Sequence, residues 1–116
     1  MHKFREKISR IMDELLMFQF NAGATDIRIN INKMEDGFLV HFESDIRDNV
    51  QDSVDLLERC LKSGQNEAME EYFWELAGDD EGSDSAELQL IGHMVDDAYV
   101  KLNGNHLRIT VFKKFR

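Results

Sequence analysis

The side chains of this sequence that could take part in chemistry are one cysteine, four histidines and many carboxylates. Cys60 shares one side of a predicted helix with Leu57 and Leu61, where a free thiol is usually a small core residue and not a nucleophile. The histidines occur singly, and none has a second ligand at a metal-binding spacing; they are His2, His41, His93 and His106. The sequence therefore predicts no catalytic residue and no zinc site.

The carboxylates are concentrated in the middle of the chain. No Lys or Arg occurs between Lys62 and Lys101, and 11 of the 23 acidic residues fall in that interval. The rest of the chain has 23 minus 11, or 12, acidic residues against 14 basic ones. Such a negative field disfavours nucleic acid and anionic membranes as partners. We interpret the segment as a solubilising surface, with a docking surface for a basic protein as the alternative.

The acidic loop at residues 79–84 invites comparison with a calcium motif, because Ca²⁺ needs several converging oxygen ligands. Aligning Gly82 with the invariant glycine of an EF-hand loop places Ala77 at the first ligand position and Leu88 at the last. Neither side chain offers an oxygen, so the pattern fails at both ends. No metal site is predicted, and weak divalent binding by the loop is the remaining alternative.

Length and composition indicate one folded domain over residues 1–116. A chain of 116 residues with 42% hydrophobic residues and eight phenylalanines can bury a single core. No apolar run approaches the ~20 residues needed to cross a bilayer, and the first residues lack the apolar stretch of a signal peptide. A single cysteine fits a reducing compartment. We therefore expect a cytoplasmic protein.

Hydrophobic periodicity predicts the elements that must position these side chains. Apolar residues recur every three or four positions over residues 4–20, which is typical of an amphipathic helix, and Gly23 is expected to end it. Residues 27–31 and 38–42 alternate between apolar and polar instead. The Asp36-Gly37 turn between these two segments predicts a hairpin.

The same reasoning predicts three further helices in the middle of the chain. Ser44 or Asp45 is expected to cap a helix that stops at Gly64 and whose apolar stripe is Val50, Val54, Leu57 and Leu61. A shorter helix is expected over residues 66–77, and a fourth over residues 84–98. On that fourth helix His93 precedes Asp96 and Asp97 by about one turn, so a surface ion pair is expected there.

A second hairpin is predicted over residues 99–111, which gives the element order α-β-β-α-α-α-β-β. Two hairpins can join into one sheet, and helices with single apolar stripes must cover one of its faces. The predicted fold class is α+β, a two-layer α/β sandwich with a four-stranded, mainly antiparallel sheet. The uncovered face is expected to carry mostly polar side chains, which are Arg28, Asn30, Leu39, His41, Lys101, Arg108 and Thr110.

Three stretches with this element order resemble the ATP-binding domain of histidine kinases, gyrase, heat-shock chaperones and mismatch-repair proteins. Residues 11–31 are similar to the first motif helix and strand of that family, with Glu14 present and Phe18 at the position of a magnesium-binding Asn. Residues 37–49 resemble the strand and turn that carry the adenine-binding Asp. Here Asp45 stands for that Asp.

The same turn has Arg47 and Asn49 where the family has glycines, and residues 86–112 resemble its last glycine motif, helix and hairpin, with Glu87 and Gln89 replacing glycines. Such glycines let backbone N–H groups approach the phosphates, whereas a Glu side chain adds bulk and repulsion. The resemblance therefore implies a degenerate domain that has lost nucleotide binding and takes no cofactor. Phe18 is expected to plug the cleft.

These observations lead to a noncatalytic regulatory or protein-interaction domain as the first hypothesis, with a protein partner, including a second copy of the chain. The interaction candidates are Trp74, which lies off the main apolar stripe of the 66–77 helix, and its neighbours Glu70 and Glu71. For Trp74 the alternative is that this helix is covered on two sides and that Trp74 is buried. The alternative is a small-molecule binder or enzyme that uses the equivalent cleft through Glu14 and Asp45, with His93 as a third polar group. An unrelated α+β sandwich is the third hypothesis.

Overall fold

The computed structural model describes residues 2–62 and 83–115, and these form an α+β sandwich. The helices are α1 (His2–Asn21), α2 (Gln51–Lys62) and α3 (Ser83–Met94). The strands are β1 (Asp26–Lys33), β2 (Gly37–Asp45), β3 (Asp97–Asn103) and β4 (His106–Lys114). The predicted fold class is confirmed, and the helix predicted over residues 66–77 lies outside the described residues.

The four strands form one sheet in the order β1-β2-β4-β3, and every neighbouring pair is antiparallel. Both predicted hairpins are therefore present, and they join through β2 and β4. Gly37 begins β2 where the two central strands approach closely, because a Cβ on it would overlap the backbone carbonyl oxygen of Lys113. A residue without a side chain is required at this position.

The helices cover one face of the sheet, which we call the inner face. Most of its side chains from β2 and β4 are buried, and they form one core with buried side chains of α1, α2 and α3. This core includes Val40, Phe42, Leu107, Ile109, Ile11, Leu15, Leu57 and Ile91. Cys60 is buried in this core, as its position beside Leu57 predicts. The opposite, outer face carries the polar side chains expected from the alternation.

The expectation that Ser44 or Asp45 caps the second helix is wrong. The strand β2 continues through both residues, which pair with Leu107 and His106 of β4, and the Ser44 side chain is buried. The chain turns into α2 only after Asn49, whose φ of 64° lies in the left-handed region. Asparagine is one of the few residues other than glycine that tolerate this conformation.

The expectation that the last helix continues to Ala98 is also wrong, because α3 ends at Met94 and β3 begins at Asp97. Asp96 fixes this transition: its backbone N–H donates to the Phe112 carbonyl, and its carboxylate accepts from the backbone N–H of Lys114 at 2.7 Å. Asp96 and Asp97 therefore lie beyond the helix, and the one-turn spacing from His93 does not apply. Within the described residues, no helix is long and apolar enough to cross a membrane.

Candidate functional site

A cleft of about 470 Å³ opens between α1, α2, α3 and the loop that follows β2. Its walls combine apolar and polar side chains from separate stretches of sequence: Glu14, Met17, Phe18, Asn21, Ala22, Arg47, Ser53, Leu56, Glu87 and Leu88. The cleft is thus built from one side of α1 and the facing sides of two other helices. It is the candidate binding site of this domain.

Two carboxyl groups that line the cleft, Glu14 of α1 and Glu87 of α3, lie next to each other. Partial burial, a side-chain hydrogen bond with Glu87 and repulsion by the Glu87 charge raise the pKa of Glu14 to about 7. Two carboxyls that share a hydrogen bond must share a proton, because two adjacent negative charges repel each other. The Glu14 carboxyl therefore stays protonated to a higher pH than an exposed glutamate does.

Phe18 forms one wall of the cleft and does not fill it, so the expectation of a plugged cleft is wrong. The side chain is half-buried against the core beneath it. Glu14 and Glu87 both line the cleft and give it an acidic character. A ligand in this space would meet an aromatic surface on one side and carboxyl oxygens on another.

Among the described residues that line this cleft, Arg47 is the basic one, and it is held against the C-terminus of α1. Its backbone N–H donates to the Ala22 carbonyl at 2.9 Å, and its guanidinium donates to the Asn21 carbonyl. The carbonyl end of a helix carries partial negative charge, which these contacts offset. Gly23, with a φ of 82°, makes room for the Arg47 side chain. The Arg47 guanidinium therefore makes a structural contact with the end of α1.

The Glu14 carboxyl predicts a pH dependence of stability. Between its ordinary pKa of 4.5 and the folded value of about 7, the folded chain binds more protons than the unfolded chain, so stability falls as pH rises through this window. Glu14→Gln removes the shared charge and is expected to stabilise the protein at pH 8 by about 1 kcal/mol or less, since water still reaches the site. The effect is expected to vanish near pH 4.

Thermal melting at both pH values checks this prediction, with Glu6→Gln on the exposed side of the same helix as the matched control. The control is expected to leave the pH profile unchanged. A Glu14→Gln protein whose melting temperature falls with pH as steeply as that of the unmodified chain would show that this carboxyl does not carry the effect.

A second polar cluster lies on the outer face of the sheet and centres on Glu43. Its carboxylate is 3.2 Å from His106 Nε2 and 3.1 Å from Arg108 Nε. The hydrogen bond from His106 lowers the pKa of Glu43, and the positive charge of Arg108 adds to this effect. His41 continues the row, with its Nδ1 2.7 Å from Thr110 Oγ1. On the outer face of the sheet, these contacts place the Glu43 carboxylate next to basic side chains of the neighbouring strand.

The structure does not bring Glu14 and Asp45 together. Asp45 ends β2 and lines a smaller recess of about 350 Å³ with Glu43 and His106. The Nδ1 atom of His106 is 3.5 Å from the Asp45 carboxylate. Half-buried His93 lies near the end of α3 and is not among the residues that line the cleft. The interaction candidates Trp74, Glu70 and Glu71 lie outside the described residues.

An apolar groove of about 600 Å³ lies between α1 and the sheet, on the side of β1. It is lined by Phe4, Arg5, Ile8, Met12, Ile31, Lys33, Phe38 and Phe115. Beside it, Ile29 and Ile31 of β1 are 41% and 48% exposed, and Met34 is 45% exposed. The sequence predicts these isoleucines to face the helices, which they do. Hydrophobic alternation does not reveal that β1 is an edge strand whose inner face the helices leave partly exposed.

The described residues define a two-layer α+β domain with a helix-lined cleft and an apolar sheet edge. Comparison with protein-family models, with curated proteins and with solved structures finds no match to this chain. The geometry of the cleft and of the sheet edge is therefore the basis on which a function can be proposed.

Proposed function

We propose that this chain is a noncatalytic regulatory or protein-interaction domain on a degenerate histidine-kinase-like ATPase fold, in which nucleotide binding has been lost. One observation carries the proposal. Four positions that the sequence resemblance assigns to the nucleotide site, held by Glu14, Phe18, Arg47 and Glu87, line one cleft although they come from three separate stretches of sequence. The residue types at these positions do not suit a nucleotide.

The physical reason is the charge and shape of the cleft. A triphosphate and its Mg²⁺ need close backbone N–H groups and oxygen ligands for the metal. Phe18 supplies no oxygen, and Glu87 presents a carboxyl beside the hydrogen-bonded Glu14. The Arg47 guanidinium donates to the C-terminus of α1. A polyanion entering the cleft would meet carboxyl groups at a point where its phosphates require positive charge.

The interaction role is supported by the apolar edge of the sheet. Monomeric proteins seldom expose neighbouring large apolar side chains without a function, because water contact with them is unfavourable. Ile29, Ile31 and Met34 are each more than two-fifths exposed, and Phe20 at the end of α1 is 58% exposed. The β1 side chains adjoin the groove between α1 and the sheet. A protein surface is the ligand that buries such an edge.

The proposal predicts that Mg-ATP and Mg-ADP do not stabilise the chain. A ligand present at a hundred times its Kd adds about 2.7 kcal/mol to the free energy of unfolding, which a melting experiment detects readily. We expect no change in melting temperature for the unmodified protein at millimolar nucleotide. A reproducible upward shift would contradict the loss of nucleotide binding.

The open volume of the cleft favours one second candidate, a small-molecule binder that uses the same walls. Leu56→Trp is the control for any ligand that shifts the melting temperature. Leu56 is a half-buried residue of the lining, and a larger side chain there reduces the space in the cleft. A shift with ATP, ADP or another small molecule that disappears in Leu56→Trp would establish this second function. A shift that persists in the variant would place the ligand elsewhere.

A further inference from the structure

The edge strand β1 has few of the features that usually prevent edge strands from pairing, and its one inward charge, Lys33, lies at the end of the strand. Its sequence, DIRININK, has no proline, and its side chains on the inner face are Ile27, Ile29 and Ile31, followed by Lys33. Natural edge strands are commonly short, irregular, or marked by prolines and inward charges. Eight regular residues with isoleucine at three alternate positions form a suitable template for another strand.

The hydrogen-bond pattern fixes which residues present free backbone groups. Met34 N–H donates to Gly37 O at 2.8 Å, and the register pairs Lys33 with Phe38 next to it. Backbone groups alternate in direction along a strand, so the even-numbered residues of β1 bond to β2. The N–H and C=O groups of Ile27, Ile29 and Ile31 therefore point away from β2, towards the open edge.

The opposite edge of the sheet differs in this respect. The strand β3 has seven residues and packs against α2, and its inner-face residue Val100 is 8% exposed. Lys101 stands on its outer face, and the exposed Tyr99 lies beside it. On β3, Tyr99 is the exposed large apolar side chain, at 54%, and it stands on the polar outer face, whereas β1 has two such side chains together on the inner face. The exposed isoleucines make β1 the edge that gains by pairing.

The sequence of β1 is complementary to itself in one antiparallel register. When Ile29 faces Ile29 of a second copy, Ile27 faces the partner's Ile31, so every isoleucine of the strand meets another isoleucine. On the outer face Arg28 then faces Asn30, and Asp26 faces Asn32. A shift of two residues one way places Arg28 opposite Arg28, and a shift the other way places Ile27 opposite Lys33. The first shift is unfavourable because like charges oppose each other, and the second because an apolar side chain faces an ammonium group.

We propose that two copies of this chain associate through antiparallel pairing of their β1 strands, centred on Ile29, to form one continuous eight-stranded sheet. This inference rests on the interaction role given to the apolar edge above. The pairing satisfies the free backbone groups of both edges and buries the exposed isoleucines of both copies. The two apolar grooves then lie side by side on the helix-bearing face, since the two-fold axis runs perpendicular to the sheet.

Sedimentation and light scattering of the full chain over a wide range of concentration test the association. The unmodified protein is expected to reach twice the chain mass. Ile29→Lys places two ammonium groups in opposition at the axis and is expected to weaken association at least about tenfold. Tyr99→Lys, an exposed position on the other edge, is expected to retain the dimer. A protein that stays monomeric at every concentration would overturn the proposal.

Disulfide cross-linking tests the register independently of the charge substitution. Residues in a hydrogen-bonded antiparallel pair have Cα atoms about 5.5 Å apart, within the range of a disulfide. Ile29→Cys is therefore expected to form a covalent dimer with oxidised glutathione, whereas Ile31→Cys is not, because its neighbour across the axis is Ile27. Cys60 is buried in both variants and gives the same background. Equal cross-linking of the two variants would refute the register.

These outcomes separate self-association from the proposed function. A monomeric protein that also shows no nucleotide shift keeps its interaction role and loses only self-association. A dimer with the expected cross-link that binds Mg-ATP keeps self-association and loses the nucleotide-free assignment. A dimer that survives Ile29→Lys and cross-links through neither cysteine variant has another interface, and the β1 pairing is then wrong.

Discussion

Asp96→Ala is expected to lower the free energy of unfolding by about 3–5 kcal/mol, because it leaves a buried ammonium group without its carboxylate. The Lys113 side chain is only 5% exposed on the inner face of β4, and its Nζ is 3.3 Å from Asp96 Oδ2. The same carboxylate accepts the backbone N–H of Lys114. One substitution therefore removes a charge pair and a backbone contact where α3 gives way to β3.

The matched variant is Lys113→Met, which removes the charge and keeps most of the length of the side chain. In this variant the Asp96 carboxylate loses the lysine, but it is 19% exposed and still accepts the Lys114 N–H, so the variant is expected to lose less stability than Asp96→Ala. Urea unfolding of both variants measures the difference. If both variants lost the same free energy of unfolding, loss of the ion pair itself would explain the effect, and the buried lysine left behind in Asp96→Ala would not.

Gly92→Ala is expected to cost about 3 kcal/mol, the upper part of the usual range for overpacking. Gly92 lies on α3 where it crosses α2, and a Cβ there would overlap the Cys60 carbonyl oxygen and lie 3.1 Å from the Cys60 carbonyl carbon. Both atoms belong to the backbone of a helix and cannot move aside as a flexible side chain would. The two helices must separate, which opens the core beneath them.

Gly104→Ala is the control, because Gly104 has a φ of 64° in the β3–β4 turn and a Cβ added to it would meet no atom within 4 Å. Only the backbone penalty for a left-handed alanine remains there, about 1 kcal/mol. Thermal or urea unfolding distinguishes the two causes. If Gly104→Ala were as damaging as Gly92→Ala, helix crowding would not be the explanation.

The fold could be predicted from the sequence because its two periodicities are unambiguous. Alternation at Ile27, Ile29 and Ile31 and the three-to-four spacing in α1 each leave a single way to bury apolar surface. The residues at which helices and strands begin and end are harder to predict from the sequence. Ser44 resembles a helix cap in sequence, but its pairing with Leu107 keeps it in the strand. Long-range hydrogen bonding, which local spacing does not record, decided that position.

The cleft was only partly predictable. The resemblance to a known motif order suggested that Glu14 and Glu87 belong to one site, although many residues separate them in sequence, and both line the cleft. The same resemblance did not foresee that Asp45 would lie beside His106 at the sheet. A strand that extends by a few residues changes the direction of every side chain at its end, since successive side chains point to opposite faces.

The aromatic contact between Phe4 and Phe115, whose ring centroids are 5.3 Å apart, has a consequence for how this domain can be joined to other polypeptides. Fusions made before Phe4 and after Phe115 would leave the domain at the same corner. Two flanking modules would then be attached at neighbouring points on the surface of the domain. This contact would keep their two attachment points close together, although Phe4 and Phe115 are far apart in sequence.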